Sequence, residues 1–143
     1  MTALLVDTSV LIKWFHSAGE SELEEARAIR HAVQSGDLEA LILDLALYEL
    51  GNVLLRALGW PAADVANQLD DVLVISGTPI SMLPAWFRDA ALLGHRYKLT
   101  FYDAAWAAGA RGLDVPLISA DTHLLDAGLA ESSTAFAQRQ RLL

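Results

Sequence analysis

The sequence predicts an α/β fold, a mainly parallel sheet covered on both faces by helices. Two observations predict it. Short, continuous apolar runs have the length of strands buried on both faces. Each is followed by a stretch of helical periodicity, the order expected of βαβ units. The 143 residues, 54% hydrophobic and 20% charged, suffice for one globular domain over 1–143 with its own core.

Ala3–Val6 is the first apolar run and ends at Asp7. Thr8 or Ser9 can cap a helix with Val10, Leu11, Trp14 and Phe15 on its apolar face. Asp7 thus stands at the carboxyl end of a strand, where its plain alternative role is a helix N-terminal carboxylate favoured by the macrodipole. Lys13 lies one turn into this helix, either snorkelling at the surface or reaching a phosphate. Ser21–Gln34 has Ser21 and Glu24 at capping-box spacing, with Leu23, Ala26, Ile29, Ala32 and Val33 at helical intervals. It reads as an amphipathic surface helix closed by Gly36, with His31 and the charges on a solvated face.

Ala40–Leu43 is a second buried strand, and a helix follows from about Leu45 to Leu58, stopped by Gly59. Glu49, Asn52 and Arg56 share the side opposite its leucine stripe. Pro61 opens a helix to about Ile75, with Ala66, Leu69, Val72 and Leu73 inward. Gly77 and Pro79 end it, Ile80–Leu83 reads as a third short strand, and Pro84 starts a helix through about Tyr97. Arg88, His95, Arg96 and Lys98 gather toward its end, the one basic cluster of note. A helix C-terminus attracts cations for dipole reasons alone, and contact with a phosphate is the other reading.

Thr100–Asp103 has the form of a capping box, and the alanine-rich helix behind it is bounded by Gly112. Asp103 therefore sits in a first turn. Val115–Ser119 is the next strand, and Asp121 falls just past its carboxyl end as the cap of one helical turn. In the tail, Thr134–Ala137 is a further strand candidate.

Composition narrows the chemistry. The chain has no cysteine, which removes disulfides, thiol nucleophiles and thiolate zinc sites. No apolar run approaches the roughly 18 residues of a membrane helix, and Met1–Asp7 lacks a signal peptide's basic flank, so a cytoplasmic protein with no membrane partner is expected. The net charge of -8 argues against non-specific adhesion to nucleic acid, but bound cations would reverse the field of a local acid cluster.

Such a cluster is expected. In a parallel sheet the loops after successive strands meet at the carboxyl rim, where ligands bind. Asp7, Asp103 and Asp121 then lie near one point, with Glu49 reaching in from the helix after the second strand. Like charges that close raise one another's pKa values unless something positive is bound. All the candidate ligands are oxygens, so a hard cation, Mg²⁺ or Mn²⁺, fits best, and phosphate chemistry is the class to consider. A haloacid-dehalogenase-type phosphatase would need a second Asp where Ser9 stands, and a signalling receiver would need an acceptor Asp at Leu83-Pro84. Neither a Gly-x-x-x-x-Gly-Lys-Ser/Thr loop nor a Gly-x-Gly-x-x-Gly turn follows the first strand.

Val6–Phe15, Glu49-Leu-Gly-Asn52, Phe101–Ala105 and Leu117–Leu125 together resemble, in order and spacing, the four signature segments of PIN-domain ribonucleases, specifically the VapC-type toxins of toxin-antitoxin pairs. The resemblance implies a three-layer α/β/α sandwich and an Mg²⁺- or Mn²⁺-dependent endoribonuclease. By position, Asp7, Glu49, Asp103 and Asp121 would be its catalytic and metal-holding acids, with Ser9, Asn52 and Ser119 as polar supports. Lys13, Arg96 and Lys98 are candidates to contact the substrate, and Trp14, Phe15, Trp60, Trp86 and Phe87 to stack on bases. The implied partners are RNA, a second copy in a homodimer, and an antitoxin whose basic C-terminal segment enters the acidic cleft. The alternatives are a stand-alone RNA-processing nuclease and a catalytically silent binding module.

Overall fold

The computed structural model describes residues 2–143. β1 (Thr2–Val6) leads through Asp7 into α1 (Thr8–Leu11), which runs on as a 3-10 turn, Ile12–Trp14. Then come α2 (Leu23–Gln34), β2 (Leu38–Leu41), α3 (Leu45–Asn52), α4 (Ala62–Ser76), α5 (Pro84–Tyr97) and α6 (Phe101–Leu113). β3 (Leu117–Ile118), α7 (Thr122–Asp126) and α8 (Ser133–Arg139) complete the chain. The three strands form a parallel sheet in the order β2-β1-β3, with Leu4 opposite Ala40 and Val6 opposite Ile118. Leu4, Leu5 and Val6 on the central strand have no exposed surface, because helices flank the sheet. This is the α/β architecture that the alternation of apolar runs and helical stretches predicts.

The sheet is shorter at its edges than expected. Ile80–Leu83 contributes only one parallel bridge, Ile80 to Leu43, because Pro84 opens α5 before the segment can pair further. On the other edge the predicted strand Thr134–Ala137 is part of α8. Ser132 caps that helix, its side chain accepting from the Ala135 N–H at 3.0 Å, and Phe136 and Ala137 turn inward with α8 packed on α2. Glu131 instead extends the sheet by one residue: the Ser119 N–H donates to its carbonyl at 2.9 Å, and its own N–H donates to the Leu117 carbonyl at 2.8 Å.

Three local expectations are also corrected. The Ser21–Glu24 capping box does not form. Glu22 takes the cap position in the left-handed region at φ 54°, and its carboxylate accepts from the Thr134 N–H at 3.0 Å, tying α2 to α8. On α4 Val72 is buried and Leu69 packs on the core as expected, but Val65 turns inward in place of Ala66, which is exposed. Gly112 does not end α6, which continues to Leu113. A Cβ at Gly112 would lie 2.1 Å from Trp86 Nε1, so the glycine is there to let α5 approach α6.

Past Asn52, α3 widens into a π-turn over Val53–Ala57, with the Leu58 N–H donating to the Val53 carbonyl at 3.0 Å. Leu50 and Leu54 stay buried on either side of the change. Among the described residues no helix is long and apolar enough to cross a membrane.

Candidate active site

Asp7 ends one element and begins the next. Its N–H donates to the Ile118 carbonyl at 3.0 Å, continuing the β1–β3 ladder, and its carbonyl accepts from Val10 and Leu11 to open α1. The side chain, 5% exposed, makes no capping bond; Oδ2 instead accepts from Ser119 Oγ at 2.5 Å and Ser9 Oγ at 2.9 Å. Each hydroxyl is oriented from behind. The Ala120 N–H donates to Ser9 Oγ at 2.9 Å and the Asp121 N–H to Ser119 Oγ at 3.0 Å, so the hydroxyl protons are left for Asp7. Ser9 and Ser119 thus both bond the Asp7 carboxylate.

The other acids come from three separate helices. Asp103 is in the first turn of α6, where its N–H donates to the Thr100 hydroxyl at 3.1 Å, the predicted cap. Asp121 caps α7, its Oδ1 accepting from the Leu124 N–H at 3.1 Å, with His123 Nδ1 3.7 Å away on an exposed ring. Glu49 on α3 is partly buried, and its Oε1 accepts from Thr8 Oγ1 and from Trp106 Nε1, each at 2.9 Å.

Two of the carboxyls, Asp7 and Asp103, are raised by their surroundings. Burial pushes the Asp7 carboxyl up to about 6, the two serine hydroxyls pull it back, and the charges of Glu49 and Asp103 add to the rise. The Asp103 carboxyl is also raised, first by burial and then by Asp121 and Glu49, against the opposing pull of Thr100 and His123. The acids thus share one rim of the sheet. Among the described residues no three Asp, Glu or His side chains are gathered closely enough to hold a metal ion between them.

Other sequence candidates fall elsewhere. Asn52 is exposed and makes no hydrogen bond to the four acids among the described residues. Lys13 is neither a surface lysine nor free for a substrate. It is 3% exposed, and its Nζ donates to Glu20 Oε1 at 3.2 Å and the Ser21 carbonyl at 2.7 Å, because the α1–α2 connection folds back over it. Arg96 is exposed, its guanidinium 5.2 Å from the centre of the Tyr97 ring, and Lys98 is exposed in the turn that leads into α6. Of the aromatic candidates for base stacking, Trp14 is buried in the core and Phe87 is exposed. Trp106 escaped the sequence reading, and Thr8, expected there only as a possible helix cap, instead donates to Glu49. Trp106 lies one turn after Asp103, the only hint that it faces the same rim.

Beside the acids the surface is aromatic. Tyr48 and Tyr102, the chain neighbours of Glu49 and Asp103, are 77% and 62% exposed, and Phe87 and Phe101 stack in parallel with centroids 6.3 Å apart. These four line a cleft of about 360 Å³. A larger cavity, about 430 Å³, lies by Arg111, Asp114 and Glu131 and includes none of the four acids.

The fold and the rim define a class: an α/β protein whose site is built of carboxylates and hydroxyls delivered by the ends of parallel strands and by the helices behind them. The PIN domain model matches residues 4–129, and the chain belongs to the PIN domain family. PIN domains are generally nucleases. Among solved structures the chain is similar to the crystal structure of PAE2754 from Pyrobaculum aerophilum, at 23% identity and a TM-score of 0.70, over 99% of this chain and 98% of that one. A comparison with curated proteins finds no match.

Proposed function

We propose that this PIN domain is a metal-dependent endoribonuclease, the toxin of a toxin-antitoxin pair, acting in the cytoplasm with Mg²⁺ or Mn²⁺. The observation that carries the reading is the Asp7 carboxyl, buried at the end of the central strand and raised to about 6 among Glu49 and Asp103. A buried acid that raises the charge density of its neighbours is a liability unless a cation joins it. The donor set, carboxylate and hydroxyl oxygens without a thiolate, suits a hard ion. Mg²⁺ at such a site would be held through one or two carboxylates and keep several of its waters, its ordinary mode in proteins.

Asp7 and Asp103 would hold the ion, with Glu49 and Asp121 taking its waters or a second ion. The bound cation would lower the pKa of a water and neutralise charge on the phosphate. The residues of the chain do the rest. Ser9 and Ser119 fix the Asp7 carboxylate, Thr8 and Trp106 fix Glu49, and the helix-capping bond of Asp121 keeps its Oδ1 in place. An acid left unbound by metal would take the proton of the attacking water. Hydrolysis by water would leave a 5′-phosphate and a 3′-hydroxyl.

The net charge of -8 and the acidic rim favour an inhibitor with a basic segment. The aromatic cleft formed by Tyr48, Phe87, Phe101 and Tyr102 favours a homodimer, since exposed apolar patches of this kind mark contact surfaces.

Purified protein incubated with total RNA in Mn²⁺ or in EDTA, beside Asp103→Asn, tests the reading. Discrete 5′-phosphate ends that need both metal and Asp103 are expected. Their absence, with protein shown to be folded and free of a co-purified inhibitor, would leave a binding module without turnover.

A further inference from the structure

We infer that Trp106 is a positioning residue for Glu49: its buried indole N–H, with the Thr8 hydroxyl, holds one oxygen of the Glu49 carboxylate and leaves the other to the cation site. The inference rests on the metal-dependent reading proposed above.

A glutamate on a helix surface ordinarily swings through many rotamers, and a metal ligand that must be collected from such an ensemble binds weakly. Glu49 is not free to swing. Its Oε1 takes hydrogen bonds from two elements at once, Thr8 on α1 and Trp106 on α6, both at 2.9 Å, while Oε2 accepts none among the described residues. The indole is a donor with no acceptor capacity, so its contact with a carboxylate has only one polarity. It is also fully buried, with its ring locked in the core, so the donor does not move. The other wholly buried indole, Trp14, leaves its Nε1 without a partner, which shows that packing in this core does not by itself require an acceptor for the indole.

The placement on α6 matters as much as the bond. Asp103 and Trp106 are one turn apart on the same helix, so α6 carries one carboxylate of the rim and the anchor of a second. The spacing between Asp103 and Glu49 is therefore set by a rigid element and not by two independent side chains. Partners behind a metal-binding group commonly change metal affinity by about 10–100-fold when removed.

Trp106→Phe keeps an aromatic ring in the core and deletes the donor. The measurement is Mn²⁺ binding to the intact protein without RNA, read from the electron paramagnetic resonance of free Mn²⁺, in the parent, Trp106→Phe, Glu49→Gln and the double variant. Trp106→Phe is expected to weaken binding about tenfold and to have no further effect once Glu49 is Gln. In the metal-free parent, the Trp106 indole N–H resonance is expected to move when Glu49 is changed to Gln, a readout independent of metal and activity. If Trp106→Phe fails to fold, the sulfur isostere of tryptophan at position 106 keeps the shape and still lacks the donor. Unchanged Mn²⁺ affinity in a folded donor-less protein, or an equal loss with and without Glu49, would overturn the inference and leave the metal reading standing. Failure of the parent to bind Mn²⁺ would overturn both.

Discussion

Ser119 and Asp7, 112 residues apart in the chain, are joined by a hydrogen bond of 2.5 Å between the Ser119 hydroxyl and Asp7 Oδ2. The hydroxyl is also an acceptor, taking the Asp121 N–H at 3.0 Å, so one serine connects the acid after β1 with the acid after β3. Ser119→Ala removes a donor that pulls the Asp7 pKa down against its burial. The Asp7 pKa then rises further. The acid limb of the pH profile of cleavage is expected to move to higher pH, and stability to fall by about 1–3 kcal/mol in urea titrations.

Asp7 makes metal-free stability depend on pH in an unusual direction. Its folded pKa of about 6 lies above the ordinary aspartate value of 3.8, so between these values the folded state binds more protons than the unfolded chain. Stability therefore falls as pH rises through this window, by about 3 kcal/mol from this group alone. In EDTA the protein is expected to melt higher at pH 5 than at pH 7, after correction for the other acids. Asp7→Asn should flatten the difference and raise Tm at pH 7; a lower Tm at both pH values would mean the carboxylate is structural.

A divalent cation should reverse that slope. Binding needs ionised carboxylates, so Mg²⁺ or Mn²⁺ is expected to raise Tm at pH 7, more with increasing concentration, and to do little at pH 5. The Tm shift should be lost in Asp103→Asn. Differential scanning fluorimetry across pH and metal concentration measures it.

Gly112 and Trp86 offer a test of packing. In an exposed helix interior Gly→Ala ordinarily stabilises by about 0.5–1 kcal/mol. Here the added methyl would sit 2.1 Å from Trp86 Nε1 and 2.4 Å from Cε2, so Gly112→Ala is expected to destabilise by about 1–3 kcal/mol. Combining it with Trp86→Leu should recover most of the loss, a non-additivity that urea denaturation of the four proteins would reveal.

Lys13 is buried, with its ammonium bonded to Glu20 and the Ser21 carbonyl. Lys13→Met breaks the buried bonds to Glu20 and Ser21, and a loss of about 1–3 kcal/mol in stability is expected with cleavage per folded molecule unchanged. A selective rise in KM for RNA at unchanged Tm would assign Lys13 to substrate contact after all.

Much of this was legible in the chain because it is local. The caps at Thr100 and Asp121 obey three-residue spacings, α5 begins at its proline, and β1 is a run of apolar residues ending at an acid. The positions of Asp7, Ser9, Asp103, Ser119 and Asp121 at the carboxyl rim follow from those elements once the sheet is parallel.

The sequence by itself determined most of the helices and the caps at Thr100 and Asp121, because these depend on contacts between residues three or four apart. Tertiary structure alone decided what depends on distant partners. Ile80 became a single bridge and Thr134 part of a helix, because a strand exists only to the extent that a neighbour takes its hydrogen bonds. Lys13 was buried by a loop that returns over it, and Glu49 was anchored by an indole 57 residues away. No periodicity records such meetings, which arise only when α1, α3 and α6 pack around the end of one short sheet.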